Sequence, residues 1–288
     1  MIKWHNSLVD DLARRRCILF LGAGVSMNSV GNDGKIPPSW KEFLTHCLDS
    51  IDKPQQIRKL INNEDFLTAC EIIRSKLQRG QFDSLLKEEF LAPKYIKAEI
   101  HELLFKLDCR IVVTPNFDKI YETYVSKATE GTAIVKTYYD DDIASVIREN
   151  GRVILKIHGT IDNTKNLIFS RKDYAKTRSS HRDFYEILNA LSLTHTFLFI
   201  GCGINDPDIR LLLEDSFFKH NSTKPHYLVS SDKSINSELV PIIEETLNVN
   251  ILTYKEIRKS HGELIKSINE LLKLVEQKRL EIKQTMNW

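Results

Sequence analysis

Short, largely apolar runs recur along the chain, and each stops at a small or polar residue. They lie at 17–21, 110–113, 153–157, 196–200 and 227–229. The first ends at Gly22 and the second at Thr114-Pro115-Asn116. The third ends at His158-Gly159, the fourth at Gly201-Cys202-Gly203 and the fifth at Ser230-Ser231. Runs this short, without polar alternation, predict strands buried on both faces, the pattern of a parallel sheet. Segments with helical spacing lie between them, at 118–125 and at 206–218. In the second, Asp206 is placed to cap the helix and Pro207 to occupy its first position. Strand and helix in alternation predict a doubly wound, Rossmann-like α/β sheet. The polar residues that end the runs then sit at the carboxyl ends of strands, where such sheets bind ligands.

The alternation breaks once. Residues 39–107 contain no good strand but several helix patterns, at 40–50, 65–77 and 96–107. This stretch reads as a helical insertion after the first strand, able to cover a cleft. Near the end, Leu264, Ile265, Ile268, Leu271, Leu272 and Val275 repeat at helical spacing and predict an amphipathic helix over 262–283. Its apolar face suits packing on the same domain or contact with a partner. No repeat or Gly/Ser linker interrupts the chain, so residues 1–288 are expected to form a single domain.

Composition removes several alternatives. Of 288 residues, 42% are hydrophobic and 28% charged, which is ordinary globular usage and excludes whole-chain disorder. A net charge of +2, with no basic stripe bearing interleaved aromatics, argues against direct nucleic-acid binding as the main task. No uncharged apolar run approaches the roughly 20 residues of a membrane helix. The segment 1–16 carries charges throughout and has no secretory apolar stretch. Five scattered Cys without a Cys-x-x-Cys pair suit a reducing compartment, so the expectation is a cytoplasmic protein with neither disulfide framework nor metal site.

Four clusters at strand ends could carry chemistry. Gly22-Ala23-Gly24-Val25-Ser26 allows a tight turn whose backbone N–H groups approach a pyrophosphate, but a purely structural turn needs the same glycines. Thr114-Pro115-Asn116-Phe117-Asp118 offers an amide and a carboxylate two residues apart; a turn with a helix cap would also use them. His158 precedes Gly159 directly and could take a proton from a sugar hydroxyl near neutral pH. Gly201-Cys202-Gly203-Ile204-Asn205-Asp206 gives a second backbone approach with polar groups for a ribose, or else a loop and capped helix. Their joint placement on one sheet is more specific than any one of them.

In this order, Gly-Ala-Gly-x-Ser, Thr-x-Asn-Phe-Asp, Lys156-x-His-Gly and Gly-x-Gly-x-Asn-Asp-Pro-Asp resemble the sirtuin-like superfamily. More narrowly, they are similar to prokaryotic sirtuin-like domains that hydrolyse NAD in antiphage defence. Phe169-Ser170-Arg171-Lys172-Asp173-Tyr174 is similar to a segment that follows the His-Gly in that group. Deacetylase sirtuins carry a four-Cys zinc module; no such module can be drawn here, and the helical insertion appears instead. They also tend to have Gln-Asn-x-Asp where this chain has Thr114-Pro115-Asn116-Phe117-Asp118.

The resemblance therefore implies NAD as substrate, an NAD glycohydrolase activity, and abortive infection as its setting. It implies Asn116, His158 and Asp118 at the catalytic centre. It implies Gly22, Ala23, Gly24, Ser26, Thr114, Gly201, Gly203, Asn205, Asp206 and Ser230 as NAD-binding residues, with Ser230 toward the adenosine ribose. An NAD-dependent deacylase or ADP-ribosyl transferase is the alternative enzyme, and a non-catalytic nucleotide sensor the alternative from another class. An enzyme that drains NAD needs restraint, so a homo-oligomer or a partner sensor protein is expected to control it.

Overall fold

The computed structural model describes residues 1–288 apart from 79, 204–208, 211, 215–223, 258–260 and 287–288. Among the described residues seven strands form one sheet. They are β1 (Cys17–Leu21), β2 (Ile111–Thr114), β3 (Ile134–Thr137), β4 (Val153–Lys156), β5 (Thr196–Ile200), β6 (His226–Ser231) and β7 (Val249–Tyr254). The order is β3-β4-β2-β1-β5-β6-β7, with every neighbouring pair parallel. The doubly wound sheet is thus present, and five strands lie where the apolar runs place them. The runs do not mark β3 and β7. These are the two edge strands, and part of each faces solvent, so both lack the unbroken apolar signature of the centre.

The central strands are buried throughout because alternate residues enter different cores. Leu19, Leu21, Val112, Ile154, Leu198 and Ile200 pack on one face with the helices Asn6–Ala13, Glu99–Lys106 and Gly262–Thr285. Ile18, Phe20, Val113, Leu155, Phe197 and Phe199 pack on the other, with the helices Arg171–Ser180 and Arg182–Thr194. The helix Gly262–Thr285 turns its apolar stripe inward: Ile268, Leu271 and Val275 are fully buried in the first core. The helix expected at 206–218 falls largely outside the described residues.

Between β1 and β2 the insertion forms the helices Trp40–Cys47, Gln55–Asn62, Phe66–Lys76 and Gln81–Phe90. The first begins at a reciprocal cap, in which Ser39 Oγ accepts from Glu42 N–H and the Glu42 carboxylate accepts from Ser39 N–H. These helices close a third apolar cluster around Phe43, Leu44, Cys47 and Ile73, joined by Ile161, Leu167 and Phe169 from the segment after β4. That shared cluster holds the insertion over the carboxyl end of the sheet. The helix Glu99–Lys106, also within 39–107, belongs instead to the first core.

One buried histidine links β5 to β6. His226 Nδ1 accepts from Phe197 N–H at 3.1 Å, and burial pushes its pKa down from the usual 6.5 to about 4. Between those values the unfolded chain binds a proton that the folded chain does not. Stability is therefore expected to fall as pH drops from 6.5 to 4, by about 3 kcal/mol, and to level off below. Urea unfolding across that range measures it, and His226→Gln is expected to flatten the slope.

Candidate active site

The strand order turns back at β1, and a cavity of about 430 Å³ opens there, outside the carboxyl ends of β1, β2, β4 and β5. Its floor is made of strand-end residues: Gly22, Ala23 and Ser26 after β1, Asn116 and Asp118 after β2, His158 after β4, and Gly201, Cys202 and Gly203 after β5. Its roof is aromatic. Trp40, Phe66 and Phe90 come from the insertion, with Phe117 and Phe169 from the loops after β2 and β4. These rings touch one another, for example Trp40 with Phe66 at 5.5 Å and Phe117 with Phe169 at 4.9 Å between centroids. Trp40, Phe66 and Phe90 thus place part of the insertion against the cavity.

The Gly22 turn sits against the end of β5. Gly22 N–H donates to Ile200 O and Gly24 N–H to Gly201 O, each at 2.9 Å. A Cβ on Gly22 would lie 2.3 Å from Gly201 O, and one on Gly201, whose φ is +67°, would lie 2.6 Å from Val25 N. Packing of two backbones therefore accounts for these glycines. It also commits the Gly22 and Gly24 N–H groups within the protein, leaving Ala23 and the Gly201-Cys202-Gly203 turn to face the cavity.

Asn116 is held by the same turn. Its Nδ2 donates to Gly22 O at 2.9 Å and to Ser26 Oγ at 3.1 Å, and Ser26 Oγ donates to Asp118 Oδ2 at 2.7 Å. The other Asp118 oxygen accepts from Ile120 N–H at 2.9 Å. Both Asn116 side-chain protons are thus used, so the amide presents its acceptor, Oδ1, to whatever enters the cavity. Asp118 orients Asn116 through Ser26 rather than by touching it. The Ser26 hydroxyl is buried and serves this chain of bonds.

His158 lies at the cavity wall with 6% of its surface exposed. Its Nε2 is 3.3 Å from Tyr174 Oη, and the two rings meet edge to face at 5.3 Å. Tyr174 was not singled out from the sequence as a site residue. Its only signal there is its place in the segment 169–174, and its buried hydroxyl becomes meaningful once the helix Arg171–Ser180 is packed against His158. The aromatic roof is a second omission, because rings in an insertion are indistinguishable from core rings until folded. Trp40 Nε1 is a buried donor in this roof with no partner among the described residues.

The structure therefore brings Gly22, Ala23, Ser26, Asn116, Asp118, His158, Gly201 and Gly203 to one cavity. Three expected site residues do not line it. Gly24 lies in the backbone contact with Gly201. Thr114 Oγ1 donates to Leu21 O at 2.6 Å and accepts from Asn116 N–H, so it shapes the loop from behind. Ser230 Oγ donates to Ser231 O at 3.3 Å, on β6 and away from the cavity lining. Asn205 and Asp206 lie outside the described residues. Among the described residues no three His, Cys, Asp or Glu side chains come together as a metal site. No described helix is long and apolar enough to cross a membrane.

Comparison with known proteins agrees with this architecture. Residues 110–252 match the family model described as a SIR2-like domain. The chain is 26% identical over 224 residues to the NAD(+) hydrolase ThsA of Enterococcus faecium, covering 76% of this chain and 44% of that protein. It is 22% identical over 280 residues to ThsA of Bacillus cereus (strain MSX-D12), covering 95% of this chain and 56% of that protein. It is 23% identical over 243 residues to Defense-associated sirtuin 2 of Bacillus subtilis, covering 83% of this chain and 23% of that protein. The matches thus span between about a quarter and just over half of these relatives' length.

Proposed function

We propose, from the match of residues 110–252 to a SIR2-like domain, that this chain hydrolyses NAD at the nicotinamide–ribose bond, as part of antiphage defence. The observation that supports the reading best is the placement of Asn116 and His158 on the wall of one covered cavity, with Oδ1 of the amide taking no hydrogen bond from any described residue. Two relatives named NAD(+) hydrolases point the same way.

The chemistry asks little of an acid. The C1′–N bond breaks, its electron pair returns to the pyridine nitrogen, and nicotinamide leaves neutral. Positive charge builds on the ribose, and water then adds at C1′ and loses one proton. On this reading Asn116 Oδ1 accepts from a ribose hydroxyl or from the attacking water. His158, as the neutral imidazole, accepts the proton. Asp118 and Ser26 hold the amide in its acceptor orientation. The aromatic roof shields the reacting carbon from bulk water while leaving room for the attacking one, and Ala23 with Gly201 and Gly203 borders the space for the rest of the dinucleotide. Of the candidates outside the cavity lining, Gly24 and Thr114 act by shaping their turns.

The Ser26 bridge gives a graded test. Ser26→Ala removes the link between Asn116 and Asp118 but leaves both groups in place. Turnover is expected to fall about tenfold, equivalent to about 1.4 kcal/mol of transition-state stabilisation. A steady-state assay beside a thermal melt separates this from loss of folding.

Incubating the purified chain with NAD and separating products by chromatography tests the activity itself. Nicotinamide and ADP-ribose in equal amounts is the expected result. Binding without nicotinamide release would establish a sensor instead, and release only with an acylated peptide would establish a deacylase. Control is assigned to a second copy of the chain or to a partner protein in the cytoplasm, and addition of the genomic neighbour to the same assay checks it.

A further inference from the structure

Behind Asn116, on the side away from the ligand cavity, lies a second and much smaller void of about 20 Å³. Ser26, Thr114, Asn116, Asp118, Glu122 and Lys156 contribute polar groups to its wall. Lys156 is the last residue of β4, paired in register with Thr114 of β2, and only 1% of it is exposed. It does not line the ligand cavity. Its ammonium group has three protons and meets three acceptors: Phe117 O at 3.4 Å, Asp118 O, and the carboxylate of Glu122 on the helix Ile120–Ala128.

These contacts are unusual in kind. A lysine is seldom buried, and here it is spent on main-chain carbonyls of a loop on another strand. The two carbonyls belong to the residues directly after Asn116. Two residues beyond Lys156 in its own chain is His158. One side chain therefore fastens the amide's loop to the strand that ends in the imidazole. Glu122 faces the ammonium: burial holds its carboxyl above the usual carboxylate range, and Lys156 beside it opposes part of that rise.

We propose that Lys156 is a positioning residue, which clamps the Phe117 and Asp118 carbonyls and thereby sets the separation of Asn116 Oδ1 from His158, with Glu122 as its counter-charge. This rests on the proposed NAD hydrolysis for its kinetic consequence but not for its structural one. The void beside the clamp, of about 20 Å³, has room for about one water. Displacement of a reacting group by about 1 Å can cost about 100-fold in rate. The clamp therefore governs turnover more than affinity.

The test is a paired substitution that removes the clamp without leaving a lone buried charge, Lys156→Met with Glu122→Leu. Lys156→Arg serves as the second variant. It keeps the cation opposite Glu122, and its planar fork cannot meet both carbonyls where the ammonium does. In the double variant kcat is expected to fall about 100-fold, with KM for NAD changed less than about threefold. Lys156→Arg is expected to lose about tenfold in kcat alone. Crystal structures of whichever variant folds are expected to show residues 116–118 displaced while β1, β2 and β4 stay in place. This structural readout stands whether or not the parent chain releases nicotinamide, so the two proposals fail separately. An unmoved loop in a folded variant, or a variant with parental kcat where the parent is active, overturns the assignment.

Discussion

His158→Ala is expected to slow nicotinamide release by about 10²–10⁴-fold, the range typical of a positioned general base. The variant is expected to unfold at nearly the parental temperature. His158 borders an existing cavity, so truncation enlarges open space rather than hollowing a packed core. The substitution removes the 3.3 Å contact with Tyr174 Oη, a single hydrogen bond. KM for NAD is expected to change little, because a group that acts on the moving proton contributes to the transition state and not to ground-state binding. Tyr174→Phe provides the control. It keeps the ring and the edge-to-face contact but removes the hydroxyl, and is expected to cost less than His158→Ala. Steady-state kinetics with a product-specific readout, beside circular dichroism, checks all four statements. Parental turnover by a folded His158→Ala chain would remove His158 from the mechanism.

Asn116→Asp is expected to be as damaging as Asn116→Ala, with losses of about 10²–10³-fold, the size seen when one oriented polar group is taken from a transition state. The two shapes are nearly identical, so the argument turns on protons. In the parent, Nδ2 gives one proton to Gly22 O and one to Ser26 Oγ. A carboxylate has none to give. It would place an oxygen against the Gly22 carbonyl and compete with Asp118 for the single Ser26 proton. The side chain must then turn or the loop must shift, and in either case Oδ1 leaves its place. Asn116→Ala removes the acceptor outright. Similar losses from the isosteric and the truncated variants are the signature of an amide whose orientation matters. Full activity in Asn116→Asp would mean that any acceptor at that point suffices.

Much of this site was legible in the sequence because strands buried on both faces advertise themselves. The five central apolar runs mark five strands, and the residues that end four of them meet at the cavity. The edge strands β3 and β7 escaped notice because half-exposed strands lose that unbroken pattern. The division of labour among the glycines was not legible either. Gly22 and Gly24 read equally as a phosphate turn or a structural one, and only the close approach of Gly201 shows that backbone packing requires them. Tyr174 and the aromatic roof depend on which helix faces which loop, and no local spacing carries that information. Lys156 appeared only as a letter in the Lys-x-His-Gly motif. Its meaning lies in a carbonyl pair 38 and 39 residues earlier in the chain, a contact made only by parallel pairing of β2 with β4. The candidate at Ser230 followed from the rule that strand ends bind ligands, and β6 lies beyond β5 from the point where the sheet reverses.

The central claim is spatial: one dinucleotide must touch Asn116 and the His158 position together. The structure of the His158→Ala chain with NAD bound tests it most directly, since the slowed variant holds its substrate. The account predicts the nicotinamide ribose in the covered cavity, with a hydroxyl or an ordered water within hydrogen-bond distance of Asn116 Oδ1 and C1′ facing the space vacated by the imidazole. A dinucleotide seated elsewhere on the sheet, or one whose nicotinamide ribose lies away from Asn116, contradicts it.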